Sequence, residues 1–268
     1  MSSSYYTECV ESAKKHQMFH HYTDVEALFK IISSSSIQLS DLSDLNDLIE
    51  GGRVDAIYKH KTFVACFEHN THESIPMWKM YSKNAYGLRL SLSNINFLLE
   101  APRYFYYENN NRVNFPSHNW EVRHAVIVDV KYINDPTQHF EEYEPLGPGF
   151  IVEKFPLDIG IVKSNAWEYE NETRVRVYVD VTKNLSSVIF PKDRKPPLKG
   201  LESFVQYNYP NFSKIYCDLD KITLSNMTIT FYPNMPSEIR RAIVLAVQDK
   251  IPSFNNFKAS EFDGMAVI

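Results

Sequence analysis

Glycine is scarce in this chain, 8 residues in 268. No G-x-G-x-x-G and no G-x-x-x-x-G-K-S/T run is present, so neither Gly-rich loop that cradles phosphate on backbone N–H groups is on offer. Cysteine is also sparse. Cys9, Cys66 and Cys217 are odd in number and widely spaced, which excludes a disulfide framework and a paired-cysteine zinc site and suits reduced thiols. No apolar run approaches the ~20 residues that span a bilayer, and the opening residues hold no apolar signal core. The expectation is a protein of the cytoplasm without a membrane partner, with export by a route that uses no such segment left open. A cationic excess is missing too. The formal net charge of −5 argues against broad electrostatic capture of nucleic acid and leaves room only for a local basic groove.

Aromatic residues are abundant, with 17 Tyr, 17 Phe and 3 Trp. Many rings and few glycines predict a firmly packed, β-rich body and not a nucleotide-binding Rossmann sheet. Hydrophobic content of 44% with 23% charged residues is that of a globular protein. No linker divides the chain, so residues 1–268 are read as one domain.

The most informative stretch runs from Ile161 to Val179. From Glu170 it alternates as a strand does, placing Val175, Val177 and Val179 on one face and Glu170, Glu172, Arg174, Arg176 and Tyr178 on the other. Two carboxylates two residues apart repel unless a cation, water or a ligand hydroxyl separates them. The plain reading is a solvated face on which Arg174 pairs with Glu172.

Elsewhere, the patterning predicts a helix over 5–17, a strand at 18–22, and a helix capped by Thr23 with Glu26 in a capping box. Strands follow at 37–40, 62–67, 86–92, 121–132 and 222–231. Helices are expected at 75–82, from Ser93 to Glu100, and after Pro236. The Pro-rich, acidic stretch 135–156 is the candidate lid. Strands spread throughout with short helices between them mean α+β.

Several side chains invite chemistry. His20 and His21 face opposite ways on a strand, so at most one of them belongs to a given site. Trp78 and Tyr81 fit a core stripe as well as a stacking platform. His69-x-x-His72-Glu73 has the wrong order for a helical H-E-x-x-H and is read as a solvated turn, with no metal assigned. Cys66 reads as a small core residue.

Taken in order, His21-Tyr-Thr23, Leu45-Asn-Asp-x-x-Glu50, Val64-Ala-Cys-Phe67, Met77-Trp-x-x-Tyr81 with Gly87, and Lys163-x-x-x-Trp167-x-x-Glu170-x-Glu172-x-Arg174 resemble a widespread, poorly characterised bacterial domain family. More distantly the chain is similar to ADP-ribosyltransferases, which carry an early His followed by Ser or Thr, a middle aromatic and a late Glu-x-Glu. That resemblance implies a split β-sheet core with peripheral short helices, and NAD as substrate. It implies Glu172 as the carboxylate that stabilises an oxocarbenium-like ribose, and Glu170 as the group that orients or deprotonates the acceptor. His21 and Thr23 would hold the adenosine ribose, and Tyr81 or Tyr86 would stack the nicotinamide. Tyr22 stands where polymerase-like members carry Gly. The acceptor, protein or nucleic acid, is not named by the sequence. A role as a toxin or antiphage effector, with an antitoxin or defence-system partner, follows from the same resemblance.

Two other readings stay open. One is a non-enzymatic α+β binding module with Glu172–Arg174 as a structural pair. The other is a hydrolase of glycosides or nucleotides using both carboxylates, whose backbones one strand face sets about 6–7 Å apart. The basic loop 192–199, with Lys192, Arg194, Lys195 and Lys199, is either a solvated turn or a guide for an anionic acceptor.

Overall fold

The alternation read from Glu172 onward is a strand, Glu172–Val181, and it runs through the middle of the sheet. The computed structural model describes residues 4–45, 47, 56–82, 86–100, 103–117, 120–136, 158–181 and 210–265. In chain order the elements are α1 (Ser4–Ala13), β1 (Phe19–Asp24), α2 (Val25–Ser34), β2 (Ser36–Asp41), α3 (Ala56–Lys61), β3 (Thr62–Glu68), α4 (Ile75–Tyr81) and β4 (Gly87–Leu92). Then come β5 (Tyr104–Glu108), β6 (Asn111–Asn114), β7 (Trp120–Asp129), β8 (Lys131–Ile133), β9 (Val162–Ser164) and β10 (Glu172–Val181). The last are β11 (Lys214–Asp218), α5 (Lys221–Asn226), β12 (Thr228–Phe231), α6 (Ser237–Lys250) and β13 (Phe257–Lys258). The expected lid and the basic loop 192–199 lie outside the described residues, apart from 135 and 136.

The fold is α+β, a large mixed sheet with short helices. The sheet forks at β3. One edge of β3 pairs along its length with β10. The other edge is shared: β1 pairs at Glu68, and β2 pairs at Val64 and Phe63. From β1 the sheet continues through β4, β12 and β13, and from β2 through β11, β5 and β6, while β7 lies beyond β10. A separate parallel pair joins β8 to β9.

One face carries the main apolar core. Phe19, Phe63, Phe67, Leu88, Leu90, Val175, Val177 and Val179 pack there with Leu28 and Ile32 of α2 and Ile243 and Val247 of α6. The opposite face is covered as well. Cys9 of α1, Val64, Val126, Val128 and residues 159–162 form a second cluster, and Tyr22, Met77 and Trp78 a third. This corrects the expectation of a solvated Glu/Arg face: Arg174 and Arg176 are 0% exposed.

Other differences have local causes. The strand expected from Glu170 begins at Glu172, because 165–170 close a 3₁₀ turn that ends on Asn171 in the left-handed region at φ 40°. Helix α2 is capped one residue later than expected. Asp24 accepts from the Ala27 N–H, Glu26 pairs with Lys30, and Thr23 stays in the strand. The strand expected over 222–231 is split, since Asp220 accepts from Thr223 N–H and starts α5 before β12 begins. The helix expected from Ser93 is a 3₁₀ turn, Asn96–Leu99, without a side-chain cap. Among the described residues no helix is long and apolar enough to cross a membrane.

Candidate functional site

Residues opposed in an antiparallel pair project from the same face. Pairing therefore lays Ser91, His20, Glu68 and Glu172 in one row across β4, β1, β3 and β10. Two residues along, Arg89 opposes Tyr22 and Cys66 opposes Arg174. This polar floor lies on the face away from the main core, roofed by α4 and the 165–170 turn.

At its centre Lys163 of β9 donates to both Glu170 and Glu172, at 3.2 Å in the second case. Tyr81, from the last turn of α4, donates to Glu170 Oε1 at 2.6 Å. Arg174 grips Glu172 through Nε (2.6 Å) and a terminal nitrogen (3.0 Å), and reaches the Gly160 carbonyl at 2.9 Å. The Glu172 backbone N–H donates to the Tyr132 hydroxyl. Trp167 lies under the Lys163 ammonium, 4.8 Å from ring centroid to Nζ. The carboxylates of Glu170 and Glu172 are 2% and 4% exposed.

Glycine is spent where this arrangement needs it. Gly160, at φ +73°, turns the chain so that the Ile159 and Gly160 carbonyls meet Arg176 and Arg174. A Cβ on Gly87 would stand 1.8 Å from Ser82 Oγ, so the chain passes the end of α4 only without a side chain there.

The two carboxylates are pushed apart in pKa. Burial raises that of Glu170, and the neighbouring Glu172 charge adds to it. Burial alone would raise Glu172 as well, but Arg174 and Lys163 outweigh it and hold it at about 2. Glu172 is thus an anion throughout the physiological range, and Glu170 is the member nearer to protonation. Cys66 packs against the second apolar cluster, as expected of a small core residue, and burial, with the Glu172 charge beside it, pushes its thiol well up.

Glu68 extends β3 one residue beyond the strand expected over 62–67. It is 0% exposed and accepts from Asn70 at 2.9 Å, while its Oε2 has no hydrogen-bond partner among the described residues and stands 3.8 Å from Arg89. Burial pushes it up to about 6. Next to it, burial and Arg89 push His20 down to about 3, so this imidazole is neutral and its Nδ1 meets the Ser91 hydroxyl at 2.7 Å.

The sign of the Glu68 effect yields a test. A carboxyl whose folded pKa exceeds its ordinary 4.5 stabilises least when ionised, so this contribution is lost as pH rises from 4.5 through about 6. Glu68→Gln should make the protein more stable near pH 7 by about 2 kcal/mol, and no more stable below pH 4.5. Urea denaturation at both pH values checks this. A Glu68→Gln protein that is weaker at pH 7 would show that Arg89 depends on the carboxylate charge.

Of the residues expected at the site, Glu170, Glu172 and Tyr81 are brought together. His21 is not. It faces the main core, where its Nδ1 meets the Cys66 carbonyl at 2.9 Å and its ring lines a small apolar void with Ile31, Phe67, Leu90 and Met227. Thr23 shares that face, opposite Leu88, and Tyr86 is 47% exposed ahead of β4. The imidazole on the carboxylate side is that of His20.

An open cavity of about 430 Å³ adjoins this floor, lined by Asn70, Glu73, Ser74, Pro76 and Phe262 among others. The side chain of Asn70 links the cavity wall to Glu68.

No curated protein and no solved structure matches the chain. One family model does, described as Protein of unknown function (DUF2971), over residues 77–175. The matched span contains Tyr81, Lys163, Glu170, Glu172 and Arg174, the residues that build the ion network, together with Gly87, and leaves out His20 and Glu68.

Proposed function

We propose that the chain is an ADP-ribosyltransferase-like enzyme that breaks the nicotinamide–ribose bond of NAD and passes ADP-ribose to an acceptor. The observation that carries the reading is the shared Lys163: it joins two carboxylates whose pKa values are displaced in opposite directions, with Tyr81 on the raised one. Paired carboxyls separated in this way divide the work of anion and proton carrier. The C1′–N bond electrons leave with nicotinamide, and positive charge develops on the ribose. Glu172, always ionised, supplies the fixed negative charge. Glu170 takes the acceptor's proton as its oxygen attacks C1′, its raised pKa bringing it closer to neutral pH. The Tyr169 hydroxyl, from the turn that carries Glu170, donates to the Met80 sulfur at 2.6 Å.

His21 and Thr23, on the main-core face, have no part in this reading, while Glu170 keeps the proton step that the resemblance implies. Glu170→Gln is expected to slow nicotinamide release about 10²–10⁴-fold, the usual contribution of a positioned general base. It should leave the melting temperature unchanged or raised, because it removes a charge that burial disfavours. Release of nicotinamide by the purified protein, with and without the substitution, is the measurement. No release from NAD by the parent protein, or full activity in Glu170→Gln, would sink the proposal.

One observation favours a second reading. Lys163 and Arg174 neutralise Glu170 and Glu172 one for one, as a purely structural polar core would require. On that reading the chain is a binding module, and the parent protein leaves NAD intact.

A further inference from the structure

On the other side of the sheet from the carboxylates, a second group of side chains converges from three distant parts of the chain. His16 comes from the segment between α1 and β1, His69 from just after β3, and Asp129 from the end of β7. One nitrogen from each imidazole and one Asp129 oxygen lie within 4.8 Å of one another. His16 Nε2 is 2.8 Å from Asp129 Oδ2, and His69 Nδ1 is 4.0 Å from Asp129 Oδ1. Ligand atoms held at about 2.0–2.1 Å from one ion are themselves about 3 Å apart; the His16–Asp129 separation is already of that size, and a His69 ring nitrogen lies within 4.8 Å of both.

The surroundings fit ligands better than a closed hydrogen-bond cluster. Thr173 donates to Asp129 Oδ1 at 2.6 Å and meets His69 Nδ1 at 2.9 Å. Its hydroxyl proton is committed to the carboxylate, so it accepts from His69 Nδ1–H. That places the proton of His69 on Nδ1 and the lone pair on Nε2. Thr173 thus orients both groups, as the outer partners of metal ligands do. Asp129 is already satisfied by Thr173 and His16, so the second imidazole is not there to complete its hydrogen bonds. The side chains of His16 and His69 are 18% and 23% exposed, which leaves an approach from solvent.

We propose that His16, His69 and Asp129 form a binding site for a divalent transition-metal ion of the zinc class. Two imidazoles and one carboxylate are three ligands, which leaves a fourth position for water or a ligand oxygen. The two rings stack, with centroids 3.8 Å apart at 12°. Thr173 holds the His69 ring, so sharing one ion requires the His16 ring to turn about its Cβ–Cγ bond until both lone pairs converge. His72, which the sequence pairs with His69, takes no part: it is 87% exposed and sits beside Glu261.

Titration of the full chain with Zn²⁺ by calorimetry should give one saturable site per chain. Co²⁺ in its place should develop visible absorption bands of four-coordinate intensity. His16→Gln and Asp129→Asn should each weaken Zn²⁺ binding at least about tenfold, whereas His72→Gln should leave it unchanged. Circular dichroism confirms that each variant is folded, and His16→Gln, in a connecting segment, carries the test if Asp129→Asn is not. Absence of saturable Zn²⁺ and Co²⁺ binding by the parent chain overturns the proposal. So does binding that survives His16→Gln or disappears in His72→Gln.

Discussion

Arg174→Met is expected to destabilise the protein by about 3–5 kcal/mol, the usual cost of leaving one partner of a buried ion pair behind. The guanidinium is 0% exposed and holds both oxygens of Glu172 as well as the Gly160 carbonyl. Met fills a similar volume, so packing is largely kept and the electrostatic loss dominates. Glu172 then relies on Lys163 alone, which Glu170 also claims. The double variant Glu172→Gln with Arg174→Met should recover most of the loss, since the stranded charge is gone. Urea denaturation of the parent, both single variants and the double variant near pH 7 gives the coupling energy directly. If Arg174→Met alone costs less than about 1 kcal/mol, the network is not what holds β10 against the 158–161 turn.

How far this was legible in the sequence depends on whether the deciding information was local. Alternation along β10 correctly separated Val175, Val177 and Val179 from Glu172, Arg174, Arg176 and Tyr178, because side-chain direction in a strand has a fixed period. What covers the second face was not legible, since α1 arrives from far along the chain. The left-handed Asn171 that ends the 3₁₀ turn gave no clear signal, so Glu170 was placed on the strand beside Glu172. The two meet all the same, through Lys163.

The histidines show the same limit. Parity alone says that His20 and His21 point apart, and deciding which one shares a face with Glu172 takes the register across β3. The motif residues fared better. Met77 to Gly87 and Lys163 to Arg174 are far apart in sequence yet meet at the Tyr81–Glu170 bond, and Gly87 is explained by the Ser82 side chain it clears. For Glu68 a signal did exist: Val64, Cys66 and Glu68 continue one face of β3, and a Glu at its end was the cue to extend the strand by one residue.

Lys163→Met should steepen the loss of stability at this site as pH rises from 5 to 8. In the parent protein Glu172 is held at about 2, below its ordinary 4.5, so its stabilising contribution is full above pH 4.5 and is lost as pH falls through about 2. Burial by itself would lower the Lys163 pKa, but Glu172 and Glu170 raise it, so the ammonium keeps its charge and sits between the two carboxylates. Replacing it with Met leaves them facing each other, with only Arg174 on one and Tyr81 on the other. Like charges at this separation cannot both remain ionised cheaply, and Glu170, already raised, is the one that takes up a proton. The folded variant then binds a proton that the unfolded chain has released above pH 4.5, so its stability falls as pH rises. The cost of Lys163→Met should reach about 3–5 kcal/mol near pH 8 and shrink towards pH 5. Adding Glu170→Gln to Lys163→Met should restore most of the loss at the higher pH, because the repulsion is then gone. Chemical denaturation of these variants at the two pH values reads out both effects. A gap of the same size at pH 5 and pH 8 would mean that Lys163 does not couple the two carboxylates.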